Sequence, residues 1–169
     1  MTSFTIRLPE HQARLVALAV SYHLARPGSE IDRSTMSEYQ HGLSELQPVI
    51  EAQISESNAT FDLTPLQGVL LSTAFSSVMS ELKMYSVFDT MSGSSNRPRS
   101  TAPGFDDRLR TLFPEVAGDP AYAMTLAEDL AMLRREMPFA RAKEALGEER
   151  LAAEDTQQGR KKPWQFWKR

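Results

Sequence analysis

The densest binding chemistry in this chain lies at residues 160–169, Arg160-Lys-Lys-Pro-Trp-Gln-Phe-Trp-Lys-Arg169. Five cations, Arg160, Lys161, Lys162, Lys168 and Arg169, flank Trp164, Phe166 and Trp167 with no acid among them. Both tryptophans of the chain are here. Cations interleaved with flat rings can stack on nucleobases, sit at a lipid headgroup interface, or insert aromatic anchors into a groove on another protein. The segment can equally fold back on its own chain, where the rings would cover apolar surface. Of the 19 basic and 22 acidic side chains, the tail takes five basic ones and no acid, which leaves the body at −8 against +5 in the tail. A body this acidic does not attract nucleic acid through general charge, so any such binding has to be local.

No other residue pattern points to a familiar catalytic centre. The sequence has no Gly-x-Ser-x-Gly elbow, no phosphate-cradling glycine loop and no dinucleotide fingerprint. The absence of cysteine excludes disulfides, thiolate zinc sites and a cysteine nucleophile. His11, His23 and His41 are scattered without metal-ligand spacing, so no metal and no cofactor is expected. The pairs Asp106-Asp107, Glu128-Asp129 and Glu148-Glu149 point about 100° apart on a helix and do not converge on one ion. Methionines such as Met79, Met84, Met124 and Met132 fall mostly at core spacing.

The elements that must position these groups are mostly helical. Ser3–Leu8 alternates polar and apolar residues and predicts a short strand; Pro9 and Glu10 open a helix carrying Leu15, Leu18, Ala19 and Tyr22, and Arg26-Pro27-Gly28 ends it. Ser29 is the expected N-cap of a second helix bearing Met36, Tyr39, Leu43, Leu46 and Ile50, weakened by Gly42 and Pro48. Thr60–Leu63 repeats the strand pattern, and Leu66–Phe88 predicts a long helix with a broad apolar face. Residues 92–104 read as a flexible loop or linker. Helices follow at Phe105–Phe113, after Asp119-Pro120, and from Phe139 to Gln158, the last dominated by charge beyond Glu144.

At one constant offset, Thr5, Leu8, Gln12, Leu15, Ala19 and Ser21 match Thr60, Leu63, Gln67, Leu70, Ala74 and Ser76. The pattern predicts two strand–helix units, at residues 4–24 and 59–79. Their strands would pair with each other or with equivalents in a second subunit. Thr5-Ile-Arg-Leu-Pro-Glu10, Ala13-Arg-Leu-Val-Ala-Leu-Ala19 and Gly28-Ser-Glu-Ile31 together resemble the opening of ribbon–helix–helix DNA-binding proteins. That resemblance implies a strand whose outward residues enter the major groove. Ser3, Thr5 and Arg7 would read bases, and the helix end at Ser29 would meet phosphate.

The expected architecture is therefore mainly α, α+β at most, with a minor two-stranded β element. Residues 1–91 form a helical core with two short strands, 92–104 a loop, 105–158 C-terminal helices and 159–169 the basic aromatic tail. Composition (41% apolar, 24% charged) suits a folded domain, and the start of the chain carries no signal-peptide pattern, so a cytoplasmic location is expected. The most apolar stretch, Leu66–Met79, is too short to span a bilayer. Exposed strand edges and a wide apolar helix face predict a homodimer. The expected function is non-enzymatic: an interaction or regulatory protein engaging a protein, nucleic acid or membrane surface through Arg160, Lys161, Lys162, Trp164, Phe166, Trp167, Lys168 and Arg169. The alternative is a DNA-binding regulator using Thr5, Arg7 and Ser29. A third reading is an enzyme whose site assembles from ordinary carboxylates.

Overall fold

Two strands and seven helices make up the architecture of the computed structural model, which describes residues 3–27, 29, 42–92, 100 and 102–160, with main chain alone at 90–92, 150 and 152–160. In chain order they are β1 (Phe4–Pro9), α1 (Glu10–Ala25), α2 (Leu43–Gln53), β2 (Asn58–Leu63), α3 (Pro65–Ser92), α4 (Phe105–Leu112), α5 (Glu115–Gly118), α6 (Tyr122–Glu136) and α7 (Phe139–Arg160). The mainly α fold with a two-stranded sheet agrees with the sequence expectation.

The strands form because polar and apolar residues alternate with the two-residue period of a pleated chain. Phe4, Ile6 and Leu8 of β1 and Ala59, Phe61 and Leu63 of β2 are buried, while Thr5, Arg7, Pro9, Asn58, Thr60 and Asp62 face outward. The two strands pair with each other, antiparallel, with Phe4 opposite Leu63, Ile6 opposite Phe61 and Leu8 opposite Ala59. Ile6 and Phe61 are also matching positions of the sequence repeat, and so are Glu10 and Pro65, where α1 and α3 begin. The local two-fold axis of the ribbon thus relates the same segments as the repeat.

α1 runs through the centre of the protein. Ala13, every residue from Leu15 to Val20, Tyr22 and Leu24 are buried, a wider face than the Leu15, Leu18, Ala19, Tyr22 stripe alone suggests. α2, α3 and α4 pack on α1, and α3 also carries α6 and α7, of which α6 touches α1 as well. The start of α3 is fixed by a reciprocal capping box. The Gln67 N–H donates to Thr64 Oγ1 at 3.2 Å, and the Thr64 N–H donates to Gln67 Oε1 at 3.0 Å. The buried Gln67 amide also donates to the Gly42 carbonyl at 3.1 Å, joining this cap to the N-terminus of α2.

α3 and α7 approach closely at Gly68, where an added Cβ would stand 2.6 Å from the Ala142 Cβ. Phe75 and Phe139 pack edge to face in the same interface, with centroids 5.4 Å apart. Pro138 divides α6 from α7, as its missing N–H requires.

Residues 30–41 of the expected second helix lie outside the described residues. The described part begins at Leu43, with Gly42 as N-cap, and runs through Pro48. Within the expected 92–104 loop, Ala102 enters the core, and Gly104 adopts the left-handed φ of 78° that starts α4.

Candidate functional site

The outward face of the ribbon brings Thr5 and Arg7 together with Thr60 and Asp62. Thr5 Oγ1 donates to Asp62 Oδ1 at 2.6 Å, which satisfies one carboxylate oxygen and commits the hydroxyl's proton. Arg7 stands opposite Thr60. By the sequence repeat, Asp62 occupies the position equivalent to Arg7, so this face carries one cation and one anion and is neutral.

The main-chain pattern of the ribbon follows from a clamp that the sequence does not advertise. Gln53, the last residue of α2, donates its amide to the Thr60 carbonyl at 3.0 Å, and the Thr60 N–H donates to Gln53 Oε1 at 2.7 Å. Both main-chain groups of Thr60 therefore point away from β1. Arg7 and Thr60 form a non-hydrogen-bonded pair, as Thr5 and Asp62 do, and the ladder bonds belong to Phe4, Ile6 and Leu8. The outer edge of β2 is occupied at its middle by the Gln53 amide. No hydrogen bond to the outward main-chain groups of Thr5 or Arg7 is made by the described residues.

Ser29 does not join this face. It is buried after the end of α1, its Oγ donating to the Leu24 carbonyl at 2.8 Å. The 16 residues of α1, about 24 Å of helix, separate it from the ribbon.

His11, in the first turn of α1, reaches α6. Its Nε2 lies 2.8 Å from Asp129 Oδ2, and Phe113 meets the imidazole edge to face at 5.7 Å. Arg108 of α4 pairs with Glu51 of α2, and Arg14 pairs with Glu10 while reaching the Leu112 carbonyl. Between α1 and α4 a hollow of about 140 Å³ is lined by Leu18, Ser21, Tyr22, Phe105 and Arg108. Among the described residues, no group of three or more His, Asp or Glu side chains could hold a metal ion. No helix among them is long and apolar enough to cross a membrane.

Burial, with Glu115 and Asp129 nearby, pushes the Tyr122 phenol above its ordinary value of 10.0. Arg110 is raised chiefly by its hydrogen bond to the Tyr85 hydroxyl at 3.2 Å.

Comparisons with protein-family models, with curated proteins and with solved structures return no match.

The tail enters through α7. Phe139, Ala142 and Ala145 pack on the core, whereas Gly147, Glu148, Glu149 and Leu151 are exposed. The helical main chain nevertheless continues to Arg160. Lys161, Lys162, Trp164, Phe166, Trp167, Lys168 and Arg169 lie outside the described residues.

The Gln53 clamp and the His11–Asp129 link escape a reading of the sequence, because neither leaves a local signature. The Thr64-x-x-Gln67 capping box, by contrast, is open to a motif search.

Proposed function

We propose that this is a non-enzymatic interaction or regulatory protein that offers its basic aromatic tail to a partner on the end of α7. One observation supports this reading above others. From the half-buried Leu146, α7 runs on to Arg160, about 21 Å of helix, in which six of the fourteen residues are charged and Gly147, Glu148, Glu149 and Leu151 are exposed. A helix with no apolar stripe to bury gains little by lying on the body, and here it ends where the cations and tryptophans begin.

The two tryptophans also provide the assay. Both lie in the tail, so their emission reports the tail alone. We expect emission characteristic of wet indole in the free chain. A blue shift is expected on titration with one of three probes: a single-stranded oligonucleotide, an anionic vesicle or an acidic peptide. Truncation after Gly159 should abolish binding, measured by co-sedimentation or anisotropy of the labelled probe, whereas Arg7→Ala should leave it unchanged. If truncation instead lowers the melting temperature markedly and leaves binding intact, the tail is a clasp on its own body and the reading fails.

A second reading, duplex DNA binding by the ribbon, draws support from the strand register. As in the ribbon–helix–helix proteins that the N-terminus resembles, two strands pair antiparallel and each runs directly into a helix, β1 into α1 and β2 into α3, here within one chain. In that case Arg7→Ala abolishes duplex binding and the truncated chain still binds.

A further inference from the structure

We propose that a second copy of this chain pairs with the outer edge of β1. The two β1 strands would run antiparallel about Ile6 and build a four-stranded sheet in the order β2–β1–β1–β2. The two edges of the ribbon are not alike. On β2 the central outward residue, Thr60, has both main-chain groups held by the Gln53 amide, so a strand cannot run along that edge without displacing a side chain. On β1 the outward N–H and C=O groups of Thr5 and Arg7 have no hydrogen-bond partner among the described residues, and both side chains are exposed. An unpaired strand edge is a template for another strand.

Register and charge select a second copy as the occupant. Centred on Ile6, Thr5 of each copy faces Arg7 of the other, and these two pairs exchange four main-chain hydrogen bonds. Centring on Arg7 would set two guanidinium groups directly opposite, which is unfavourable, and centring on Thr5 would leave half of the strand unpaired. In the chosen register each Arg7 stands one strand beyond the Thr5 hydroxyl that holds Asp62. Guanidinium and carboxylate then lie about 10 Å apart, two strand spacings, with opposite signs. The Ile6 side chains meet on the buried side and extend the apolar face of the sheet. Assembly stops at two copies, because joining consumes both open edges and leaves outside only the edges that Gln53 occupies. A two-fold interface of this kind closes on itself.

The test is self-association of the full chain. Sedimentation equilibrium over three decades of concentration should show conversion to twice the 19.0 kDa of one chain, with no larger species. Amide exchange should report the Thr5 and Arg7 N–H groups as unprotected when dilute and slowed at least tenfold when concentrated. Arg7→Pro removes one outward donor while leaving the ladder bonds of Ile6 and Leu8, so it should remain monomeric with an unchanged circular dichroism spectrum. Ile6→Cys, in a chain that has no other cysteine, should form a disulfide-linked dimer on mild oxidation. A chain that stays monomeric throughout, or a dimer in which the Thr5 and Arg7 amides exchange freely, overturns the proposal. Exchange is read on the unmodified protein, so the outcome stands even if a variant fails to fold.

Discussion

Gly68→Ala tests whether α7 is seated on α3 as described. An added methyl would stand 2.6 Å from the Ala142 Cβ, whereas two carbons in contact prefer about 3.5–4.0 Å, so the helices would have to part by roughly 1 Å. Overpacking of this kind costs about 1–3 kcal/mol. Against it stands the gain from replacing glycine in a helix, about 1 kcal/mol, so the net effect is a loss of up to about 2 kcal/mol. Gly147 is the internal control: it lies on α7 with nothing within 4 Å of an added Cβ, and Gly147→Ala should raise stability by about 0.5–1 kcal/mol. In thermal unfolding followed by circular dichroism, the two variants should differ by about 2–12 °C, since 1 kcal/mol moves the midpoint of a chain this size by about 2–4 °C. Pairing Gly68→Ala with Ala142→Gly removes the clash and should recover most of the loss, giving a coupling energy of about 1–3 kcal/mol. If Gly68→Ala stabilises the protein as much as Gly147→Ala does, the two helices do not cross at this point and the seat of α7 is wrong.

Three other perturbations test different links. Gln67→Ala breaks the capping box and takes from the Gly42 carbonyl one of the two donors it accepts, the other being the Glu45 N–H, so denaturant unfolding should show a loss of about 1–3 kcal/mol, while Thr64→Ala, which removes the cap alone, should lose about 1 kcal/mol. A double-mutant cycle on His11 and Asp129 should give a coupling energy of no more than about 1 kcal/mol, weakened by salt, because both side chains are partly exposed. Tyr122 ionises later in the folded than in the unfolded chain, so the unfolded state gains first as pH rises. Stability should be unaffected by this group below about pH 10 and fall above it, and Tyr122→Phe should remove that increment from the alkaline denaturation curve.

The parts of the fold that sequence reveals are those written in local periodicity. β1 and β2 are legible because a strand buried on one side must alternate, and Thr5-Ile-Arg-Leu and Thr60-Phe-Asp-Leu both do. The breaks at Arg26-Pro27, Pro114 and Pro138 are legible because proline cannot donate the helical hydrogen bond. α5 escapes notice, since four residues are too few to show a helical period. The depth of α1 is underestimated because burial on nearly all sides erases the stripe that periodicity detects. Long-range links such as Gln53 to Thr60 and His11 to Asp129 are set by how elements dock. Of the candidate site, the face shared by Thr5 and Arg7 is legible from alternation. The placement of Ser29, a full helix length away, is not.

The ribbon and the tail divide the charge of the molecule in a way that bears on both functional readings. Of β-structures the major groove admits a two-stranded ribbon, so β1 cannot both enter a duplex and carry a second copy on its edge; self-pairing and groove insertion compete for one strand. The neutral face of the ribbon weighs against the groove. Asp62 stands where a second arginine would complete the two-fold, and the Thr5 proton that would read a base is already donated to it. The tail suffers no such cancellation. Its charge of +5 starts about 21 Å of helix beyond Leu146, whereas fields between exposed charges fade over about 8 Å at physiological salt. A partner approaching the end of α7 would therefore meet the five cations against chiefly the acids nearest them in the chain, Glu154 and Asp155, and not against the whole −8 of the body. At about 0.01 M salt the screening length grows to about 30 Å, and the body begins to compete for its own tail.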